Sequence, residues 1–274
     1  MDLQRKYNHL KQYIKNLGSL CIAFSGGVDS TFLLAAAHEV LEDKAMAVTV
    51  RSSMYTKREY DEAKQFAAGL GVKHIIIDAD EYSVKEFVEN TKDRCYFCKH
   101  AIFTKIKEIA VQNGINYVAD GSNADDSNDF RPGMKAIKEL QVISPLKFAQ
   151  LTKQEIRELS RQMNLPTWDR PSFACLASRI PYGIRITREK LAMIERGEEY
   201  LMDLGFKQFR VRHHGDIARI EVLPEDRQRF FNEKFLNDIV KEFKAIGFTY
   251  VALDLEGYRT GSMNEVLTEE EKKI

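Results

Sequence analysis

Residues Cys21–Thr31 read CIAFSGGVDST. An apolar run breaks into Ser-Gly-Gly, an Asp-Ser pair follows, and a helix-forming stretch, DSTFLLAAAHEVLE, begins at once. The junction predicts a strand that feeds a helix N-terminus. Such a terminus presents unpaired N–H groups and a partial positive charge, so it attracts phosphate. Gly26 and Gly27 let the backbone take positive φ and admit a ligand at close range, while Ser25 and Ser30 add hydroxyl donors. An ordinary strand-to-helix turn also uses Gly and Ser. Position decides between the two, because parallel-sheet proteins bind ligands at the carboxyl ends of their strands.

Two other phosphate loops are excluded, since the chain has neither G-x-x-x-x-G-K-[ST] nor G-x-G-x-x-G. Asp29 is the informative residue. Beside phosphates its carboxylate is repelled unless a Mg²⁺ or a lysine stands between them. The ligand expected from the loop is therefore a metal-chelated nucleotide.

Outward from the loop, the chain alternates. SLCIAF, AMAVTV, KHIIIDA, NYVADG and QVISPL read as strands. DSTFLLAAAHEVLE, KREYDEAKQFAAGLG, the stretches around Ser83–Asn90 and Lys99–Asn113, and TKQEIRELSRQMN read as helices between and after them. Short apolar runs separated by helices predict an α/β domain over residues 1–166, a parallel sheet covered on both faces. LPTWDRPSFACLASRIPYG, rich in Pro, Ser and Arg, reads as an ordered connection. Helices near Thr187–Leu204 and Arg229–Ile246 then enclose KQFRVRHHGDIARIEV, a pair of strands turning at His214–Gly215, and FTYVALDLEG closes the pattern. Residues 167–274 are thus expected to form that connection and a smaller α+β domain.

Lys plus Arg and Asp plus Glu each number 41, so the formal net charge is zero, and 44% of the 274 residues are hydrophobic. The balance disfavours nucleic acid as the main partner, because such proteins carry a basic excess. The amphipathic start MDLQRKYNHLKQYIKNLGSL lacks an apolar h-region, and no run of about 18 apolar residues exists. With four cysteines the chain is no disulfide scaffold, and a cytoplasmic protein without a membrane span is expected.

The cysteines divide by context. Cys95 and Cys98 in DRCYFCKHAIF form a C-x-x-C pair that suits a metal, a cluster or a redox dithiol. Cys175 stands in PSFACLASRIPYG between Arg170 and Arg179, whose cations favour thiolate, and is a candidate nucleophile or ligand. Cys21, within an apolar strand, reads as a core thiol. His213 and His214 are adjacent on a strand, point oppositely and make poor co-ligands. Arg210 and Arg212 alternate on one strand, share a face and suit an anionic group. GSNADDSND places Ser122, Asp125, Asp126 and Asp129 just past the fourth strand, at the same sheet edge as the loop.

SGGVDS resembles the pyrophosphate loop of the N-type ATP pyrophosphatases, whose adenine nucleotide α-hydrolase-like fold cleaves ATP between the α and β phosphates. The superfamily includes NAD and GMP synthetases, argininosuccinate synthetase and tRNA thiolases. DGSNADDSNDFRPGMKA (Asp120–Ala136), FACLASRIPYG (Phe173–Gly183) and FRVRHHGDIARIEV (Phe209–Val222) narrow the resemblance. In order, and over nearly the whole chain to LDLEGYRTGSMNE, they are similar to the LarE family. Those ATP-dependent sulfur transferases make the pyridinium bisthiocarboxylate mononucleotide of the nickel-pincer cofactor.

The resemblance implies ATP with Mg²⁺ as the loop's ligand, bound through Ser25, Gly26, Gly27, Asp29 and Ser30, with Asp125 beside Asp29 on the metal. In sacrificial members the cysteine matching Cys175 surrenders its own sulfur and becomes dehydroalanine. Those members lack matches to Cys95 and Cys98. A second branch has all three cysteines, which hold a [4Fe–4S] cluster carrying a transferable sulfide. This chain has all three, so the resemblance points to a [4Fe–4S] cluster on Cys95, Cys98 and Cys175. It further implies Lys99 as a catalytic cation, and Arg179, Glu198, Arg210 and Arg212 as substrate-binding residues. A pyridinium mononucleotide substrate, a sulfide donor and a homo-oligomer, dimer or hexamer, are expected as partners. A tRNA thiolase with a cluster, an ATP-binding iron or redox sensor, and an ammonia-using synthetase are the competing functions. Balanced charge and the absence of zinc-spaced cysteines weigh against the first, and three unexplained cysteines against the last.

Overall fold

Leu20, Cys21 and Ile22 are wholly buried in the strand that precedes the glycine loop. The computed structural model describes residues 2–127, 132–171, 174–259, 261–268 and 270. In chain order its elements are α1 (Leu3–Leu17), β1 (Leu20–Ala23), α2 (Val28–Leu41), β2 (Ala45–Arg51), α3 (Lys57–Leu70), β3 (Lys73–Asp78), α4 (Lys85–Val88), α5 (Arg94–Gln112) and β4 (Val118–Ala119). There follow α6 (Gly133–Glu139), α7 (Pro145–Phe148), α8 (Lys153–Gln162), α9 (Arg188–Asp203), β5 (Phe209–His214), β6 (Ile217–Val222), α10 (Glu233–Ile246) and β7 (Tyr250–Leu253). Short 3₁₀ turns lie between several of them.

Contacts divide the chain into one unit of Met1–Val84 with Asp93–Phe173 and another of Lys85–Lys92 with Ala174–Ile274. The chain therefore changes unit three times rather than once after residue 166.

The first unit is built on a parallel sheet of order β3-β2-β1-β4. Alternation along the strands feeds two cores. Leu20 and Ile22 of β1 and Ala45 and Ala47 of β2 pack with Leu10 and Ile14 of α1, Phe32 and Leu33 of α2, and Ile156 and Leu159 of α8. Cys21, Met46 and Val48, the intervening residues, pack with Phe103 and Ile106 of α5 and Ile137 of α6. Both faces are thus covered, as the apolar strands require. Capping boxes start α3, with Thr56 and Glu59, and α8, with Thr152 and Glu155.

Two local expectations are corrected. QVISPL is not a full strand: Ile143 makes one parallel bridge to Ala119, and Pro145, with no N–H to donate, opens α7 two residues later. The helix expected from Lys99 begins at Arg94, which puts Cys95 and Cys98 inside α5.

The second unit follows the expected helix-strand-strand-helix-strand order. β5 and β6 pair antiparallel through a turn at Gly215, and β7 joins β6 in parallel. Thr187 and Asn232 cap α9 and α10 by accepting from Lys190 N at 3.2 Å and Phe235 N at 3.0 Å. Lys85–Lys92 belongs here because the buried Asn90 Nδ2 donates to Ile180 O, Pro181 O and Ile184 O at 3.2, 2.7 and 2.9 Å. Ile186 N also donates to Val88 O at 2.9 Å. No helix among the described residues is long and apolar enough to cross a membrane.

Candidate active site

The loop after β1 takes the form its glycines suggest. Gly26 has φ +74°, and a Cβ there would stand 3.0 Å from the Ala63 Cβ, so only glycine fits without displacing α3. Thr31 N donates to Gly27 O at 2.9 Å, the first helical bond of α2. Ser30 Oγ donates to Gly27 O at 3.1 Å and meets Ser25 Oγ at 3.1 Å, which draws the loop onto the helix start. Arg170 Nη1 donates to Gly26 O at 2.8 Å, and its guanidinium pairs with Glu62. The N–H and C=O of a trans peptide point opposite ways. Holding the Gly26 carbonyl on Arg170 therefore turns the Gly27 N–H to the other side, where Ser25 Oγ stands at 3.4 Å.

Asp29 sits in the first turn of α2 with its charge already answered. Its Oδ2 accepts from Lys153 Nζ, and its Oδ1 accepts from Asn123 Nδ2 at 3.2 Å. The Lys153 backbone N–H donates to Asp125 Oδ2 at 2.8 Å. Lys153 thus joins both carboxylates assigned to the nucleotide's metal. Behind them Asp120 accepts from Ser122 N at 3.2 Å and Ser144 Oγ at 2.6 Å, which stiffens the segment after β4. A Cβ on Gly121 would lie 3.2 Å from Ser30 N, so this segment runs directly against the α2 terminus. Asp129 lies outside the described residues.

Lys153 and Asn123 were not among the sequence candidates. One signal pointed to the lysine: it is the first residue of α8, where the helix dipole disfavours a cation.

Cys95 and Cys98 stand one turn apart near the start of α5, on the same helix face, the first exposed and the second half-buried. Cys98 Sγ lies 3.6 Å from Met54 Sδ. The neighbouring Lys99 lays its stem against Gly133, where a Cβ would meet the lysine Cδ at 2.6 Å. Cys21 is a core thiol, and burial pushes its pKa up to about 12.

In the second unit Cys175 heads the 3₁₀ turn Leu176–Arg179. Arg179 is wholly buried and donates through Nε and Nη2 to Glu198 Oε1 and Oε2 at 2.8 and 2.9 Å. Burial alone would raise the Glu198 carboxyl, but the Arg179 guanidinium holds it below the usual carboxylate range. Arg212 makes the same two-pronged contact with Glu221, at 2.9 and 2.8 Å, and donates to Ser262 Oγ at 2.9 Å. Glu221, fully buried, was also missed: nothing in IARIEV distinguishes a buried glutamate from a solvated one. Arg210 is buried beside the Tyr258 ring, 5.0 Å from its centroid, and burial with the nearby Arg179 lowers its basicity. His213 is buried against Phe248, and burial lowers its basicity as well.

The structure gathers the loop residues with Asp125 in the first unit, and Cys175, Arg179, Glu198 and Arg212 around one turn in the second. Among the described residues no three His, Cys, Asp or Glu side chains assemble as a metal site.

Residues 19–166 match the family model "Arginosuccinate synthase N-terminal HUP domain". Over 97% of this chain and 99% of the relative, the sequence is 42% identical to "Uncharacterized protein slr1717" of Synechocystis sp.. It is 39% identical to "Pyridinium-3,5-bisthiocarboxylic acid mononucleotide synthase" of Lactiplantibacillus plantarum, over 93% of this chain and 92% of that one. It is 29% identical to "Uncharacterized protein MJ0830" of Methanocaldococcus jannaschii, over 92% and 95%. A nucleotide loop that matches a HUP-domain model and a near-full-length likeness to a bisthiocarboxylate synthase agree, and the chain belongs to the LarE family of ATP-dependent sulfur transferases within the PP-loop ATP pyrophosphatases.

Proposed function

We propose that this enzyme adenylates a carboxylate of a nicotinate-derived pyridinium mononucleotide and converts it to a thiocarboxylate for nickel-pincer cofactor biosynthesis. The observation that carries the reading is the 39% identity, over nearly the whole chain, to a protein named for such a product. A carboxylate oxygen attacks the α-phosphorus of ATP and pyrophosphate leaves. The loop N–H groups at the α2 terminus, with Ser25 and Ser30, receive the departing charge. Asp29 and Asp125 are hard oxygen ligands that suit Mg²⁺; the Lys153 ammonium neutralises Asp29, while the Lys153 backbone N–H donates to Asp125. Lys99 neutralises phosphate or the attacked carboxylate. Arg179, Glu198, Arg210 and Arg212 serve the substrate's end of the reaction, Arg179 and Arg212 through the turn that carries Cys175, since each gives its fork to a buried glutamate. Sulfur then attacks the acyl carbon, a C–S bond forms, the C–O bond to AMP breaks, and AMP departs with the electron pair.

For the sulfur, the reading favours the three cysteines as ligands of a [4Fe–4S] cluster. Cys95 and Cys98 fit such a role, being thiols one turn apart on one face of α5. Cys95, Cys98 and Cys175 would hold such a cluster, and it would supply a transferable sulfide as the attacking sulfur. An external sulfide donor, a homo-oligomer of two or six chains and a cytoplasmic location complete the proposal.

The test is an iron and acid-labile sulfide count on anaerobically reconstituted protein, beside Cys175→Ala. About four irons per chain, lost in the variant, supports the cluster. If no iron binds, the cluster is wrong, and the mass of the protein after turnover decides the rest. Loss of one H₂S at Cys175 would make the enzyme its own sulfur source.

A further inference from the structure

The backbone on both sides of Cys175 hangs on one guanidinium. Arg179 Nη1 donates to Ala174 O at 2.8 Å, to Cys175 O at 3.1 Å and to Ser178 Oγ at 2.8 Å. Those two carbonyls belong to the two peptide planes that meet at the Cys175 Cα. Because each peptide is planar, anchoring both fixes the direction of the Cα–Cβ bond and leaves the thiol a single torsion. Cys175 O accepts a further bond from Ser178 N at 2.9 Å.

The anchor is itself immobilised. Glu198 holds the guanidinium by two prongs, and its Oε1 also accepts from Val211 N at 3.1 Å, which ties the arrangement to β5. At the far end of the turn, Arg212 Nη1 donates to Ser178 O at 3.0 Å, while Glu221 holds the other side of that guanidinium. A guanidinium has five N–H donors in a fixed plane. Each arginine gives its fork to a buried glutamate and its remaining arm to the main chain of one turn. Buried ion pairs contribute little net stability, and here each glutamate fixes the plane of its guanidinium by two prongs.

We propose that Arg179 and Arg212 are positioning residues that aim the Cys175 thiol, each locked by its glutamate. The proposal rests on Cys175 as the residue that handles sulfur in the reaction above.

The experiment uses the full chain before iron loading, with Arg179→Lys and Arg212→Lys, which keep charge and stem but lose the fork. The native alkylation rate of Cys175 by iodoacetamide is read by peptide mass, and kcat and KM for the pyridinium mononucleotide are read after reconstitution. The expected result is alkylation at least fivefold closer to the rate of the unfolded chain, with kcat at least tenfold lower and KM within twofold. A tenfold higher KM with unchanged alkylation and kcat would make these arginines substrate ligands and overturn the proposal. So would the absence of any change. If the lysine variants fail to fold, Glu198→Gln gives the same readouts. Wild-type Cys175 alkylating as fast as the unfolded chain would itself show that no clamp exists. Full activity in Cys175→Ala would instead sink the sulfur role of Cys175 and leave the alkylation comparison standing.

Discussion

Lys153, the first residue of α8, rests its ammonium on the carboxylate of Asp29, the second residue of α2. A cation thus stands beside the phosphate loop, where a bare carboxylate would repel ATP. Both side chains keep some exposure, 29% and 21%, so their pair adds little to stability. Loss of either should therefore damage chemistry without unfolding the chain. Asp29→Asn is expected to lower ATP–pyrophosphate exchange by about 100-fold, and Lys153→Ala to raise the KM for ATP by about tenfold. Melting temperatures within a few degrees of wild type should accompany both. Full exchange by Asp29→Asn would remove this carboxylate from the site.

The two glycines of the loop should respond differently. Gly26→Ala forces an L side chain to φ +74° and onto Ala63, at a cost of about 1–3 kcal/mol. Gly27 has φ −72°, and a Cβ there meets only Ser25 Oγ at 3.5 Å, so Gly27→Ala should change stability by less than about 1 kcal/mol. Thermal melts of the pair test the contrast, and equal losses would refute it.

Stability in acid should follow Glu198. Its folded carboxyl lies below the usual range because Arg179 outweighs burial. A depressed carboxyl stabilises the fold above its unfolded value, near about 4.3, and loses that contribution as pH falls through the folded value. Wild type should lose melting temperature steeply below about pH 4.3. Glu198→Gln should show a flatter acid limb from a start about 3–5 kcal/mol less stable. Parallel acid limbs would mean that another group governs acid unfolding.

Asn90 closes the short segment that the second unit takes from the middle of the chain. Its amide donates to three carbonyls from a fully buried position. Asn90→Ala should cost about 2–3 kcal/mol, because those carbonyls lose their donor. Asn90→Asp should cost more, since a carboxylate offers no donor to them. Chemical denaturation checks the order, and a milder Asp variant would contradict it.

Thiol reactivity should separate the cysteines. Burial raises Cys21 to about 12, so iodoacetamide near neutral pH should leave it unmodified while the exposed Cys95 reacts. Labelling of native Cys21 would show that the sheet opens locally.

Much of the architecture is local and was legible along the chain. Residues one apart on β1 and β2 belong to opposite cores, so an apolar run with helices on either side already implies a sheet covered on both faces. Glycine, serine and aspartate at a strand–helix junction imply a phosphate loop, because the unpaired N–H groups are a property of any helix start. The same local signals failed where the neighbourhood was ambiguous. QVISPL has the composition of a strand but yields one bridge before Pro145, and the C-x-x-C pair turned out to lie inside α5.

Only the folded chain decides which charges meet. Lys153 and Asp29 lie 124 residues apart, Arg179 and Glu198 lie 19 apart, and neither distance is a helix or strand repeat. A solvated arginine and a buried one look alike in a string of residues. Burial removes water from the guanidinium and makes a partner carboxylate obligatory, so Glu198 and Glu221 acquire their roles when the core around them closes.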